Sequence, residues 1–150
     1  LSRISQTQFF TLSAYTPLSD NGMMSTLNQL PRIEAEITFL SEAEGGRKQP
    51  PPAQFLSGGT YRPHLVVGDP NQRQAIRVGD WGTETYLGVA FLTSPEHIEA
   101  GKMFLAELVL MYAPHVVYDA LVPGATFTVR EGPKIVAYGR VMGVLASDEA

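Results

Sequence analysis

The side chains able to do chemistry are few and scattered. The three histidines are His64, His97 and His115. No two stand three or four residues apart, so a metal site would have to gather them from three segments. His64 and His115 are expected in or beside strands, and His97 in a turn. Glu42 and Glu44 could work as an acid–base pair, but beside Gly45-Gly46 they read as a solvated turn. Paired catalytic carboxylates usually come from separate segments. Ser57, His64 and Asp69 can be drawn as a nucleophile triad, and nothing in their local sequence supports one. Ala100-Gly101-Lys102 lacks the upstream glycine and the following Ser or Thr of a phosphate-cradling loop. No G-x-S-x-G elbow is present. The expectation is a protein that is not an enzyme, with no metal and no cofactor.

The densest basic spot is Arg47-Lys48, with Arg62 downstream and Arg130 and Lys134 near a far hairpin. These could be ordinary solvated charges, or one patch facing phosphates, with Arg supplying a planar fork. Tyr61 and Trp81 could stack on bases or anchor a core or an interface. The overall balance is acidic: 11 Lys and Arg against 15 Asp and Glu, net −4. That argues against broad adhesion to nucleic acid or to an anionic membrane, without excluding a small basic patch, and neither DNA nor a membrane is expected as a partner. There are no cysteines, so disulfides and thiolate chemistry are excluded. The first residues lack the apolar stretch of a signal peptide, and no apolar run approaches the ~20 residues of a transmembrane helix. A cytoplasmic location is expected.

The elements that must position these groups read as strands. The chain has 150 residues, 44% of them hydrophobic, with 14 Gly and 11 Pro. That is one turn-rich domain. Residues 1–31 are polar with scattered apolar side chains. They read as an N-terminal arm that packs on the main domain, residues 32–150, or reaches a neighbour, with a short helix over Met23 to Leu30. Ile33, Ala35, Ile37 and Phe39 alternate with polar residues, the period of a half-buried strand. Pro50-Pro51-Pro52 forces an extended backbone outside any sheet. His64 to Val67 is a short strand. Ala75 to Val78 and Thr85 to Leu92 read as a strand pair around Gly79-Asp80-Trp81-Gly82. Phe104, Ala106, Leu108, Leu110 and Tyr112 share one face of the next strand. Phe127 and Val129 point inward before the Glu131-Gly132-Pro133-Lys134 hairpin. Lys134 to Leu145 is the last strand, with bends or bulges expected at Gly139 and Gly143. Six or seven strands at roughly ten-residue spacing, with no long amphipathic helix, imply an all-β sandwich or barrel, and a closed barrel would remove the exposed edges.

Three strings, in order, resemble the C-terminal β-barrel of bacterial elongation factor Tu. They are Ile33-Glu34-Ala35-Glu36-Ile37 continuing to Glu44-Gly45-Gly46-Arg47, then Tyr61-Arg62-Pro63, then Phe127-Thr128-Val129-Arg130-Glu131-Gly132 with Val136 to Val141. The resemblance spans roughly residues 32 to 145. The stretch between Val66 and Lys102 is longer than its family counterpart. The resemblance implies a closed antiparallel six-stranded β-barrel with no catalysis of its own. Neither the GTPase domain nor the second barrel of that family is contained in this chain. It also implies an RNA-contacting surface. Arg47 is retained, and Lys48 stands where the family usually has His. His64 stands where Gln follows Tyr-Arg-Pro. Arg130, Glu131 and Gly132 match the far hairpin, and Pro133 replaces a second glycine. Ala113, before Pro114, replaces a side chain that is often basic.

Three functions follow as expectations. The first in weight is a protein-docking barrel in a translation-related context, a mimic, decoy or inhibitor, with Trp81, Tyr86, Met103 and Tyr112 as interface candidates. Next is an RNA-binding module gripping aminoacyl-tRNA or a tRNA-like stem through Arg47, Lys48, His64, Arg130, Glu131 and Gly132. The third is a structural homo-oligomer clasped by residues 1–31.

Overall fold

The structure is a computed structural model. It describes residue 27 and residues 29–78, 81–82 and 84–145, with 77, 78, 81 and 82 through their backbone alone. The chain is all-β. Six strands close into one antiparallel barrel: β1 (Arg32–Phe39), β2 (His64–Val67), β5 (Leu87–Thr93), β6 (Phe104–Leu110), β7 (Thr126–Glu131) and β8 (Lys134–Leu145). Round the barrel the order is β1-β6-β5-β2-β7-β8, and β8 pairs back onto β1. Every barrel strand therefore has two partners, and no long edge is left to template pairing with another chain.

Alternation builds the core. Ile33, Ala35, Ile37 and Phe39 of β1 point inward, as do Phe104, Ala106, Leu108 and Leu110 of β6 and Phe127 and Val129 of β7. Tyr112 leaves the face expected for it, because β6 ends at Leu110 and the ring is exposed. One bulge falls on β8 opposite Glu34 and Ala35, where Val141 and Gly143 take successive partners and Met142 is extra. Gly139 plays a different part. A Cβ there would stand 2.0 Å from the carbonyl oxygen of Glu36 and 2.9 Å from the Phe127 ring. It is a close approach of two backbones rather than a bend.

Ala75 to Val78 and Thr85 to Leu92 do not pair. A two-residue ladder joins β3 (Arg77–Val78) to β4 (Trp81–Gly82), while β5 enters the barrel between β2 and β6. The continuous apolar run of β5 explains this: from Leu87 to Leu92 every residue is buried, which a small surface hairpin could not provide.

Among the described residues, the outer wall is covered in two places. Leu27 is buried against Ala90, Leu92 and Val109, outer-face residues of β5 and β6. It is helical; the rest of the expected Met23 to Leu30 helix lies largely outside the described residues. Elsewhere, residues after β2 meet β7 and β8 from outside: Arg73 lies 5.4 Å over the Tyr138 ring of β8, and Glu84 pairs with Arg130 of β7. Among the described residues, no helix is long and apolar enough to cross a membrane.

The strand registers define two ends. The start of β1 lies beside the ends of β6 and β8, and its end lies beside their starts. The connections 40–63, 94–103 and 131–134 thus gather at one end. Pro31 and the 111–125 connection gather at the other.

Candidate functional site

At the first end, Ser41 caps a 3-10 turn at Glu42–Glu44. Its hydroxyl accepts from the Glu44 backbone N–H while the Glu44 carboxylate accepts from the Ser41 N–H. This capping box holds the Glu44 carboxyl below its ordinary value, chiefly through the Ser41 backbone bond. The Glu44 carboxylate is thus engaged in capping the turn that Glu42 opens. Gly45 takes the left-handed conformation (φ 95°) and turns the chain into Arg47. Arg47 donates from Nη1 to Glu131 Oε2 at 2.6 Å and from Nε to the Gln49 carbonyl at 3.0 Å. The Tyr61 hydroxyl donates to the same carboxylate oxygen. Burial first, then the Glu131 carboxylate, pushes the Tyr61 phenol far above its ordinary value. Tyr61 packs against Phe39 and Phe91, so its ring helps close this end of the barrel while its hydroxyl orients Glu131.

Arg47, Lys48, Gln49, Pro50, Glu131 and Lys134 surround an open cleft of about 400 Å³. Three of the expected RNA-contacting residues, Arg47, Lys48 and Glu131, are thus brought together, with Lys134 as a third cation. Gly132 sits in the adjoining β7–β8 turn with φ 60°. Among the described residues, Lys48 and Lys134 make no hydrogen bond or ion pair.

Arg130 and His64 do not join that cleft. Arg130 is 0% exposed, where a solvated basic side chain was expected. It lies on the outer face of β7, paired across the ladder with His64, and Glu84 and Tyr86 of the 68–86 segment cover its guanidinium. Its guanidinium donates from Nη1 and Nη2 to Glu84 Oε1 and Oε2 at 2.9 and 3.0 Å, from Nη1 to the Tyr86 hydroxyl at 3.0 Å, and from Nε to Thr128 at 2.9 Å. Glu84 also accepts from the Gln72 side chain and the Ile76 N–H. The Arg130 hydrogen bonds hold the Glu84 carboxyl down to about 2. Burial works against the Arg130 charge, but Glu84 and Tyr86 together outweigh it and its pKa rises. The Tyr86 ring stands 5.4 Å from the guanidinium and 5.9 Å from the His64 ring. This is a fork–fork pair that fastens the segment to the barrel, and it occupies Tyr86 as well.

The expected triad does not form. Asp69 accepts from the Asn71 N–H in a turn, His64 faces Tyr86, and neither bonds to Ser57. His115 lies in the 111–125 connection rather than beside a strand. Among the described residues, no three His, Asp or Glu converge as metal ligands would.

At the opposite end, the 111–125 connection forms an apolar groove of about 520 Å³ with Pro31, Ile33 and Val144. The groove is fixed from beneath. The Tyr118 hydroxyl donates to the Gly88 carbonyl at 2.7 Å and accepts from the Tyr112 N–H at 3.0 Å. Leu121 N–H bonds to the Tyr118 carbonyl and Gly124 N–H to that of Val141. Tyr118 and Leu121 are buried, yet Val117, Val122 and Val144 are 70%, 54% and 59% exposed around them. Ala113 joins the lining, and its peptide bond to Pro114 is cis.

Of the expected interface residues, Met103 and Tyr112 are about half exposed, and Tyr112 lies against the backbone of Gly88. The Trp81 side chain lies outside the described residues. Sequence reasoning missed Glu84 and the groove valines. Glu84 carried no signal, since its partner is 46 positions away. The valines carried one: Val116-Val117-Tyr118 and Leu121-Val122 place apolar side chains in a Pro- and Gly-rich connection. Compared with protein-family models and with curated proteins, the chain matches none.

Proposed function

We propose that this chain is a non-catalytic docking module that captures a protein partner, in the translation-related setting implied by its resemblance to the elongation factor barrel. One observation carries the reading: a preformed groove at the 111–125 end leaves three valines more than half exposed over a bonded floor. A rigid apolar concavity loses little entropy on binding, and apolar burial supplies the affinity. The Val117→Asp, Val122→Asp double variant should lose its co-purifying partner while melting within a few degrees of the parent, because both side chains are solvent-exposed. Retention of the same partner by the folded variant contradicts this reading.

A second reading rests on the basic cleft. Arg47, Lys48 and Lys134 converge on one opening, which favours a phosphate backbone as ligand. Affinity for charged or deacylated tRNA would then fall steeply with added salt, as counterions are released. The internal use of Arg130 and the net charge of −4 weigh against it.

A further inference from the structure

We infer that the groove at the 111–125 end takes a segment of a protein partner that carries an aliphatic side chain next to an Arg or Lys. This rests on the docking reading above and names the chemistry of its ligand. The floor and walls are hydrocarbon: Ile33, Leu110, Val116, Leu121, Val122 and Val144 all line them. An aliphatic side chain laid in that space exchanges water for hydrocarbon on the side that faces the groove. Among the described residues, Asp119 is the one carboxylate or cation lining the groove. It is exposed, and among the described residues it makes no hydrogen bond or ion pair. It sits one residue after Tyr118, whose two hydrogen bonds fix the backbone there. The carboxylate therefore stands exposed at the rim, with no cation paired to it among the described residues. An anchor flanked by Glu or Asp would meet like charge, while one flanked by Arg or Lys completes the pair. The basic cleft lies at the opposite end of the barrel, so an acidic partner drawn there would not reach the groove.

The test uses the full-length protein, its backbone amide and methyl NMR signals, and four peptides with Gly-Ser flanks: Leu-Arg-Leu, Leu-Glu-Leu, Leu-Gln-Leu and Gly-Arg-Gly. Leu-Arg-Leu should shift signals of residues 110–122 and Val144 and leave those of Arg47, Lys48 and Lys134 unmoved. Leu-Gln-Leu should bind about twofold to fivefold more weakly, Leu-Glu-Leu more weakly still, and Gly-Arg-Gly not measurably. Asp119→Asn should erase the difference between Leu-Arg-Leu and Leu-Gln-Leu without unfolding the protein, since Asp119 bonds to no described residue. Equal binding of Leu-Arg-Leu and Leu-Glu-Leu at the groove would overturn the charge preference and leave the docking reading standing. Absence of groove shifts with all four peptides would overturn the inference, and the co-purification experiment would then judge the docking reading separately. Nuclear Overhauser contacts from groove methyls to a second copy, or to residues 1–26, would show a different occupant and overturn it as well.

Discussion

Arg130 shows how far one side chain can depart from a sequence reading. In the sequence it is one more basic residue beside a hairpin; in the fold it is buried under its own counter-ion. A carboxylate held near 2 stabilises the folded state fully above the ordinary carboxylate value of 4.5, and that contribution is lost as pH falls from there toward 2. Urea denaturation of the parent should therefore weaken across that window, and Glu84→Gln should flatten the slope there. An unchanged slope in Glu84→Gln would show that the pair is not formed. Near neutral pH, Glu84→Ala should cost about 3–5 kcal/mol, because it strands a buried guanidinium. Replacing both partners, as Arg130→Met with Glu84→Leu, should cost much less, which chemical denaturation of the three variants can check. The pairing was illegible because neither residue's neighbours mark it. Contact between a residue of the 68–86 segment and one of β7 is made by the fold alone.

Among the elements, alternation was the legible signal. It placed β1, β6 and β7 and their inward faces, since a strand with one buried side must repeat every two residues. Phe39→Ala or Phe127→Ala should each cost about 3–5 kcal/mol by thermal or urea unfolding, because both rings lie in the core. Near-parental stability in both would contradict the inward faces. Pairing was less legible. Two short runs near a Gly-Asp-Trp-Gly turn read as one hairpin, yet β5 is apolar on both sides and belongs in the wall. The glycines of β8 also divide. Gly139→Ala should destabilise by at least about 2 kcal/mol, since its Cβ would meet the Glu36 carbonyl. At Gly143 nothing stands within 4 Å of a Cβ, so Gly143→Ala should stay within about 0.5 kcal/mol of the parent. Comparable losses at both positions would contradict the close β1–β8 approach.

At the scale of the whole molecule, closure of the sheet turns the barrel into a rigid body with two differently dressed ends. One end carries Arg47, Lys48 and Lys134 round a cleft, and the other carries exposed valines round a groove. The basic end could be found in the sequence because its residues fall in two short strings. The apolar end left a fainter mark, apolar residues in a Pro- and Gly-rich connection, but that Val117, Val122 and Val144 stay exposed depends on which residues the barrel leaves uncovered. The central claim is that the apolar end does the docking. A photo-reactive benzoylphenylalanine placed at Val122, and separately at Lys48, tests it in the cell that makes the protein. The account predicts a discrete protein adduct from position 122 that survives nuclease treatment, and none from position 48. Adducts from position 48 alone, lost on nuclease treatment, would contradict it and move the function to the basic cleft.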